Sequence, residues 1–174
     1  MRKQVVLVLM ALSVAASAGA QTKLTGKVHC AKADPAYSIE VGDKPGHLLT
    51  ARKSACTWTE ATEIAGLKVK SAQDVATGEA DGAAMHDAGY HVATMDNGDT
   101  YAVRFTGNAT GAKDKTAAIT GKWTFVSGSG KLKGIKGGGT YKGTGAADGS
   151  ADVEVEGDYT LAPKTTAPAP TKQQ

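Results

Sequence analysis

The sequence predicts an all-β chain: a single antiparallel up-and-down barrel of about eight strands. Three observations carry this prediction. Residues 152–161 alternate strictly, with Val153, Val155, Gly157, Tyr159 and Leu161 on one face and Asp152, Glu154, Glu156, Asp158 and Thr160 on the other. A period of two puts these sets on opposite sides of a sheet, one half-buried and one wet. Glycine-rich turns recur between such runs, and Asp96-Asn97-Gly98-Asp99 separates two of them as a tight hairpin turn would. No window shows sustained helical periodicity with caps.

The elements follow in order. Residues 22–30 set Leu24, Gly26 and Val28 against Lys23, Thr25 and Lys27. A turn at Asp34-Pro35 precedes a short strand over 37–41, and Gly42-Asp43-Lys44-Pro45-Gly46 is dense in turn formers. Residues 47–60 read as extended, with Cys56 and Trp58 on one side, and 67–79 follow, rich in small residues. In the hairpin over 90–105, a tight Asn97-Gly98 turn groups Tyr90, Val92 and Thr94 with Tyr101, Val103 and Phe105, and leaves His91 on the polar face. Ile119, Gly121, Trp123 and Phe125 share a face; Gly128-Ser129-Gly130 turns the chain and 131–142 returns it. The turn over 146–149 leads into the last strand. Strands of this number, joined by short turns, suit a sheet that closes on itself and leaves no unpaired edge.

Both ends read as lying outside the fold. Arg2 and Lys3 precede an apolar run over 5–16 and then Ala18-Gly19-Ala20, the pattern of a secretory signal peptide over residues 1–20 with Gln21 as the first mature residue. The apolar run is too short to span a bilayer comfortably. The Pro- and Thr-rich tail over 163–174 is too poor in apolar groups to offset the entropy of ordering it. The barrel domain is therefore expected over 21–162, about 140 residues around one core. No later apolar run reaches membrane-span length, so no integral membrane segment is expected after cleavage.

The full chain carries 20 basic and 17 acidic residues, a net charge of +3; without residues 1–20 the balance is 18 against 17. Its basic character gives no support to a nucleic-acid partner. Cys30 and Cys56 enter an oxidising compartment if the chain is exported, and one disulfide between them is the economical reading. A loop of that size stabilises a fold by roughly 3.5 kcal/mol in the chain-entropy model. Metal binding by Cys30 with His29 and His47 is the alternative. Neighbouring strand residues point to opposite faces, however, and no paired C-x-x-C or H-x-x-x-H spacing occurs, so no metal site is assigned.

Four strings occur in order: YSIEVGDKPGH, ACTWTE with EIAG, AGYHVATMDNGDTYAVRF and GKWTFVSGSGKLKGIKGGGTYKG. Over residues 24–161 they resemble a family of small exported bacterial proteins, which implies a periplasmic or extracellular location. The last string also resembles the W-x-x-x-G-G-T-G-x-[YF]-x-G-x-x-G pattern of the allene oxide cyclase-like and dirigent-like barrels. Its positions here are Trp123, Ser127, Gly128, Ser129, Gly130, Leu132, Gly134 and Gly137, departing at Ser127, Ser129 and Leu132. The resemblance implies an allene oxide cyclase-like, calycin-like barrel fold. The plant cyclase acts on a fatty-acid derivative, but its catalytic residues have no match here and none are carried over.

Candidate chemistry is sparse. Gly128-Ser129-Gly130-Lys131 lacks the flanking Gly and Ser/Thr of a phosphate loop, since Phe125 and Leu132 occupy those places. Lys131, Lys133, Lys136 and Lys142 read as a solvated face. His86, Asp87 and His91 are the only close grouping of acid–base residues, but His86 and Asp87 are adjacent and a strand aims them oppositely. Asp96-Asn97-Gly98-Asp99 lacks the alternating ligands of a calcium loop. No catalytic residue and no cofactor is assigned. Trp58, Tyr101, Phe105, Trp123, Phe125 and Tyr159 supply most of the large apolar surface and are the expected barrel lining. An eight-stranded barrel is just wide enough to be packed or to hold one small ligand. The leading expectation is thus a non-enzymatic barrel that binds a small apolar or amphipathic molecule. An isomerase or cyclase of lipid-like substrates, by fold analogy, and an envelope interaction protein are the alternatives.

Overall fold

The alternation of residues 151–160 is realised as a strand whose valines and Tyr159 point inward and whose acidic residues point out. The computed structural model describes residues 21–60, 63–111 and 116–163, so the predicted leader and all but the first residue of the predicted tail lie outside the described residues. The strands are β1 (Thr22–Cys30), β2 (Ala36–Glu40), β3 (His47–Glu60), β4 (Glu63–Ile64), β5 (Leu67–Asp81), β6 (Ala84–Met95), β7 (Thr100–Thr110), β8 (Ala117–Gly128), β9 (Lys136–Gly145) and β10 (Ala151–Thr160).

Each long strand pairs antiparallel with its neighbour in sequence from β5 through to β10, β10 then pairs with β1, and β3 bridges β1 and β5. The sheet therefore closes as an eight-stranded up-and-down barrel. Two short strands sit apart from this ring. β2 hydrogen-bonds only to the first half of β3 and keeps one free edge, with Tyr37 and Ile39 exposed. β4 forms a small hairpin with β5.

Closure rests on the β1–β3 seam, a run of only four paired positions from Lys27↔Glu60 to Cys30↔Cys56, with a bulge next to Val28. β2 takes the other half of that β3 edge, over Leu48 to Arg52. The disulfide predicted from the compartment lies in this seam, joining Cys30 to Cys56 with Cα atoms 4.1 Å apart.

One end of the barrel is packed shut. Ile64, Met95 and Leu132 are fully buried there, joined by Leu24, Leu67, Ile135 and Tyr159. Leu132 arrives on a short 3-10 turn, Gly130–Leu132, so the return after Gly128 begins as a turn and becomes a strand only at Lys136. Lys131, Lys133, Lys136 and Lys142 are solvated, as expected.

The β6–β7 hairpin departs from the expected register. Its connection is a three-residue loop: the Met95 N–H donates to Asp99 O at 2.8 Å, the Gly98 N–H to Met95 O at 3.1 Å, and Gly98 has φ +89°. This is the turn that ends in a left-handed glycine, where only a residue without Cβ is unstrained. Relative to a two-residue loop it slips the pairing by one position, giving His91↔Val103 and Ala93↔Tyr101. A one-residue slip moves every side chain of a strand to the other face. Tyr90 is consequently exposed and His91 buried, the reverse of the assignment made from sequence.

Two predictions follow from the packing. Trp123 is 5% exposed, so Trp123→Ala should cost about 3–5 kcal/mol in denaturant melts, the range for deleting a buried large aromatic. Replacing both Cys30 and Cys56 by Ala should lower stability by about 3.5 kcal/mol, because the cross-link no longer restricts the unfolded chain. A melt unchanged by reduction of the disulfide would contradict this.

Candidate functional site: the barrel lumen

Strand parity decides which side chains enter the lumen. Paired residues in an antiparallel ladder share a face, so once Tyr101, Val103 and Phe105 point inward, Gly89, His91 and Ala93 must as well. The same face of β6 carries Met85 and Asp87. On β3 the inward set is Arg52, Ser54, Cys56 and Trp58, and a bulge near Lys70 brings Asp74 inward on β5.

The resulting cavity is about 350 Å³ and its wall is two-sided. Every charged group lining it comes from three adjacent strands: Arg52 on β3, Asp74 on β5, Asp87 on β6, with His91 beside them. The opposing arc is apolar, with Phe105 from β7, Ile119, Trp123 and Phe125 from β8, Val153 and Val155 from β10, and Val28 from β1. Among the described residues the cavity reaches the turns at the end opposite the packed one, touching Ala31, Ala33, Ala146, Gly149 and Ser150.

The polar wall is built from pairs. Arg52 Nη2 donates to Asp87 Oδ2 at 2.5 Å, and His91 Nδ1 lies 2.6 Å from Asp74 Oδ1. The Trp58 indole N–H points to His91 Nε2 at 3.4 Å, a long bond. Burying a charge requires such partners, because desolvation otherwise exceeds what folding can offset. Two shielded atoms nevertheless lack a partner among the described residues: Arg52 Nη1 and the Tyr101 hydroxyl. Cys30 Sγ lies 3.6 Å from Asp74 Oδ2, but a disulfide sulfur carries no hydrogen and this is contact only. Cys30, Cys56 and Asp74 converge closely, yet both sulfurs are bonded to each other and offer no thiolate to an ion.

Tyr141 reaches in from β9, across from this wall. Its ring lies over Gly121 and Gly107, where a Cβ would stand 2.2 Å from Tyr141 Cζ and 2.0 Å from its hydroxyl oxygen respectively. The same point at Gly107 is 3.0 Å from Asp87 Oδ1, so phenol and carboxylate converge there. Burial pushes the Tyr141 hydroxyl well above its usual range, and the charges of Asp87 and Asp74 push further, with Arg52 opposing. Tyr101 is shifted up in the same way, by burial first and Asp74 second, with the nearby Trp58 indole N–H opposing. Both phenols therefore stay protonated and can donate.

Of the six residues expected to line the barrel, Trp58, Tyr101, Phe105, Trp123 and Phe125 do line the cavity. Tyr159 packs in the closed end, stacked edge-on against Phe125, where its hydroxyl accepts the Ala65 N–H at 3.0 Å. His86 points outward, bonded to Asn108, as adjacency to inward Asp87 requires. His29 pairs with Asp152, and His47 with Asp43 and Glu79, all on the exterior.

Arg52, Asp74, Asp87 and Tyr141 were not among the expected lining residues. A signal existed for Arg52, which sits two and three strand periods from Cys56 and Trp58 on the same face.

No family model matches the sequence, and no curated protein is similar to it in sequence. Solved structures similar in fold include two dirigent proteins. The pterocarpan synthase dirigent protein GePTS1 has a TM-score of 0.49 and 17% identity over 82% of this chain and 92% of its own. The pterocarpan synthase dirigent protein PsPTS1 has a TM-score of 0.49 and 16% identity, over 83% and 97%.

The glycine niche under Tyr141 gives a test. Gly121→Ala should displace the ring at a cost of about 1–3 kcal/mol, the range for overpacking a filled site. The penalty should shrink in a Tyr141→Leu background when the two pairs of proteins are compared by denaturant melts.

Proposed function

We propose that this protein is an exported container for one small amphipathic molecule, held in the barrel lumen without chemical change. The observation that carries this reading is the division of the lumen into a charged wall on β3, β5 and β6 and an apolar arc facing it. A barrel filled only for stability gains nothing from buried ion pairs, which apolar residues of similar volume replace at no loss. A cavity of about 350 Å³ falls in the range of small-molecule sites. Apolar contact with Phe105, Trp123 and Phe125 supplies affinity, and the polar wall fixes orientation. The unpartnered Arg52 Nη1 and Tyr101 hydroxyl favour a ligand with an oxygen atom near its polar end. The disulfide agrees with an oxidising compartment, and no helix among the described residues is long and apolar enough to cross a membrane.

The test is binding of a neutral environment-sensitive dye, N-phenyl-1-naphthylamine. One-site stoichiometry is expected, with affinity lowered at least tenfold by Ala109→Trp, which fills the cavity near its mouth. Absence of saturable binding, for this dye and for a broad panel of apolar molecules, would remove the reading.

A further inference from the structure

The charged wall is not balanced. Asp74 and Asp87 face the cavity with one guanidinium, Arg52, between them, and the Trp58 indole N–H points at His91 Nε2, which must then accept, so the ring carries its one proton on Nδ1 toward Asp74 and no charge. Each carboxylate has one oxygen engaged by the protein, Asp87 Oδ2 by Arg52 and Asp74 Oδ1 by His91. The other two, Asp87 Oδ1 and Asp74 Oδ2, accept no hydrogen bond from the described residues: the Tyr141 hydroxyl stands near Asp87 Oδ1 without bonding it, and Asp74 Oδ2 meets a disulfide sulfur that has no hydrogen to give. Tyr101 is an independent indication that a molecule belongs here: it lines the cavity, is 2% exposed, and its hydroxyl makes no hydrogen bond of normal geometry among the described residues, only a loose approach to the Trp58 indole. Around these groups stand the faces and edges of Trp58, Tyr101, Phe105 and Tyr141. Aromatic faces attract cations through their quadrupoles, more strongly where water is excluded.

We infer that the molecule held in the lumen is a cationic amphiphile, a protonated amine whose ammonium group sits against Asp87 Oδ1 and whose polar end also carries an oxygen that accepts from Arg52 Nη1. This inference rests on the container reading and adds the sign of the ligand's charge. A monocation brings the wall to neutrality and supplies a donor to Asp87 Oδ1 through a charge-assisted bond. A carboxylate ligand would instead put a third anion beside Asp74 and Asp87, against a single guanidinium already bonded to one of them. Like charges at close range in a dry site repel strongly. The apolar remainder of the amine lies along Trp123, Phe125 and Val155.

Three compounds that differ only at one terminus test this: 4-phenylbutylamine, 4-phenylbutanol and 4-phenylbutyrate, each titrated calorimetrically into the full chain and each competed against bound N-phenyl-1-naphthylamine. The amine is expected to bind at least tenfold more tightly than the alcohol, and the acid most weakly. Asp87→Asn should bring the amine and the alcohol to within about threefold of each other, whatever it does to the alcohol alone, a difference well under the tenfold that corresponds to 1.4 kcal/mol. If thermal melts show that Asp87→Asn does not fold, Asp74→Asn is read in its place. An acid that binds as well as the amine, an alcohol equal to it, or an amine preference that survives both substitutions overturns the inference. In the first two cases dye displacement by the alcohol leaves the container reading standing. Failure of the dye itself to bind removes both.

Discussion

The return of β3 to pair with β1 is the constraint on which the rest of the molecule depends. Without that seam the eight strands form an open, curved sheet with two unpaired edges and no interior. With it, every inward side chain faces another across a closed space, and the charged groups of β3, β5 and β6 are removed from bulk water together. The seam is also the shortest ladder of the barrel, four paired positions against nine between β1 and β10. A covalent bond placed in the seam's last pair, Cys30↔Cys56, holds the register where hydrogen bonds are fewest. The exposed Lys27–Glu60 ion pair at the other end of the seam contributes little beside it.

Closure sets the cost of what lies inside. An arginine, two aspartates and a histidine share one arc of the lumen, and each is tied to another by a short contact. Such an arrangement is tolerable because the partners were brought in as pairs, and truncating one member would leave the other charged and stranded. The apolar arc has the opposite logic. Glycines at 107, 121 and 157 remove side chains from it, and the rings of Tyr141 and Trp123 occupy the room thus made. Small residues on one strand are in this way the receptacles for large ones one or two strands away.

The fold class could be read because alternation is a local property: Val153 to Tyr159 declares an inside and an outside with no knowledge of the partner strand. The barrel followed from strand number and turn spacing, and the disulfide from compartment and cysteine count. The lumen's polar wall could not be read in the same way. Its composition depends on which parity of β6 faces in, and that is decided by whether the connection after Met95 contains two residues or three. Asn97-Gly98 fits both, and the two choices differ only in where Gly98 falls. With the shorter loop His91 is outside and harmless; with the longer one His91 and Asp87 are inside and need Asp74 and Arg52. The bulge at Lys70, which turns Asp74 inward, is likewise invisible in a composition of small and polar residues. Arg52 was within reach of the argument, since Cys56 and Trp58 already fixed the inward face of β3.

A barrel packed with Ile64, Met95 and Leu132 at one end is a vessel with a base rather than a pipe. Any molecule that enters past Ala31, Ala146 and Gly149 must leave by the same route, in reverse. Entry and exit then share a single transition state, so whatever slows the one slows the other in equal proportion. Residence time and filling time become two expressions of one barrier at the rim, while occupancy is decided separately, by the wall beneath. Substitutions around the rim that leave the cavity's volume as it is would thus tune how fast the vessel fills and empties without altering how full it stands at equilibrium.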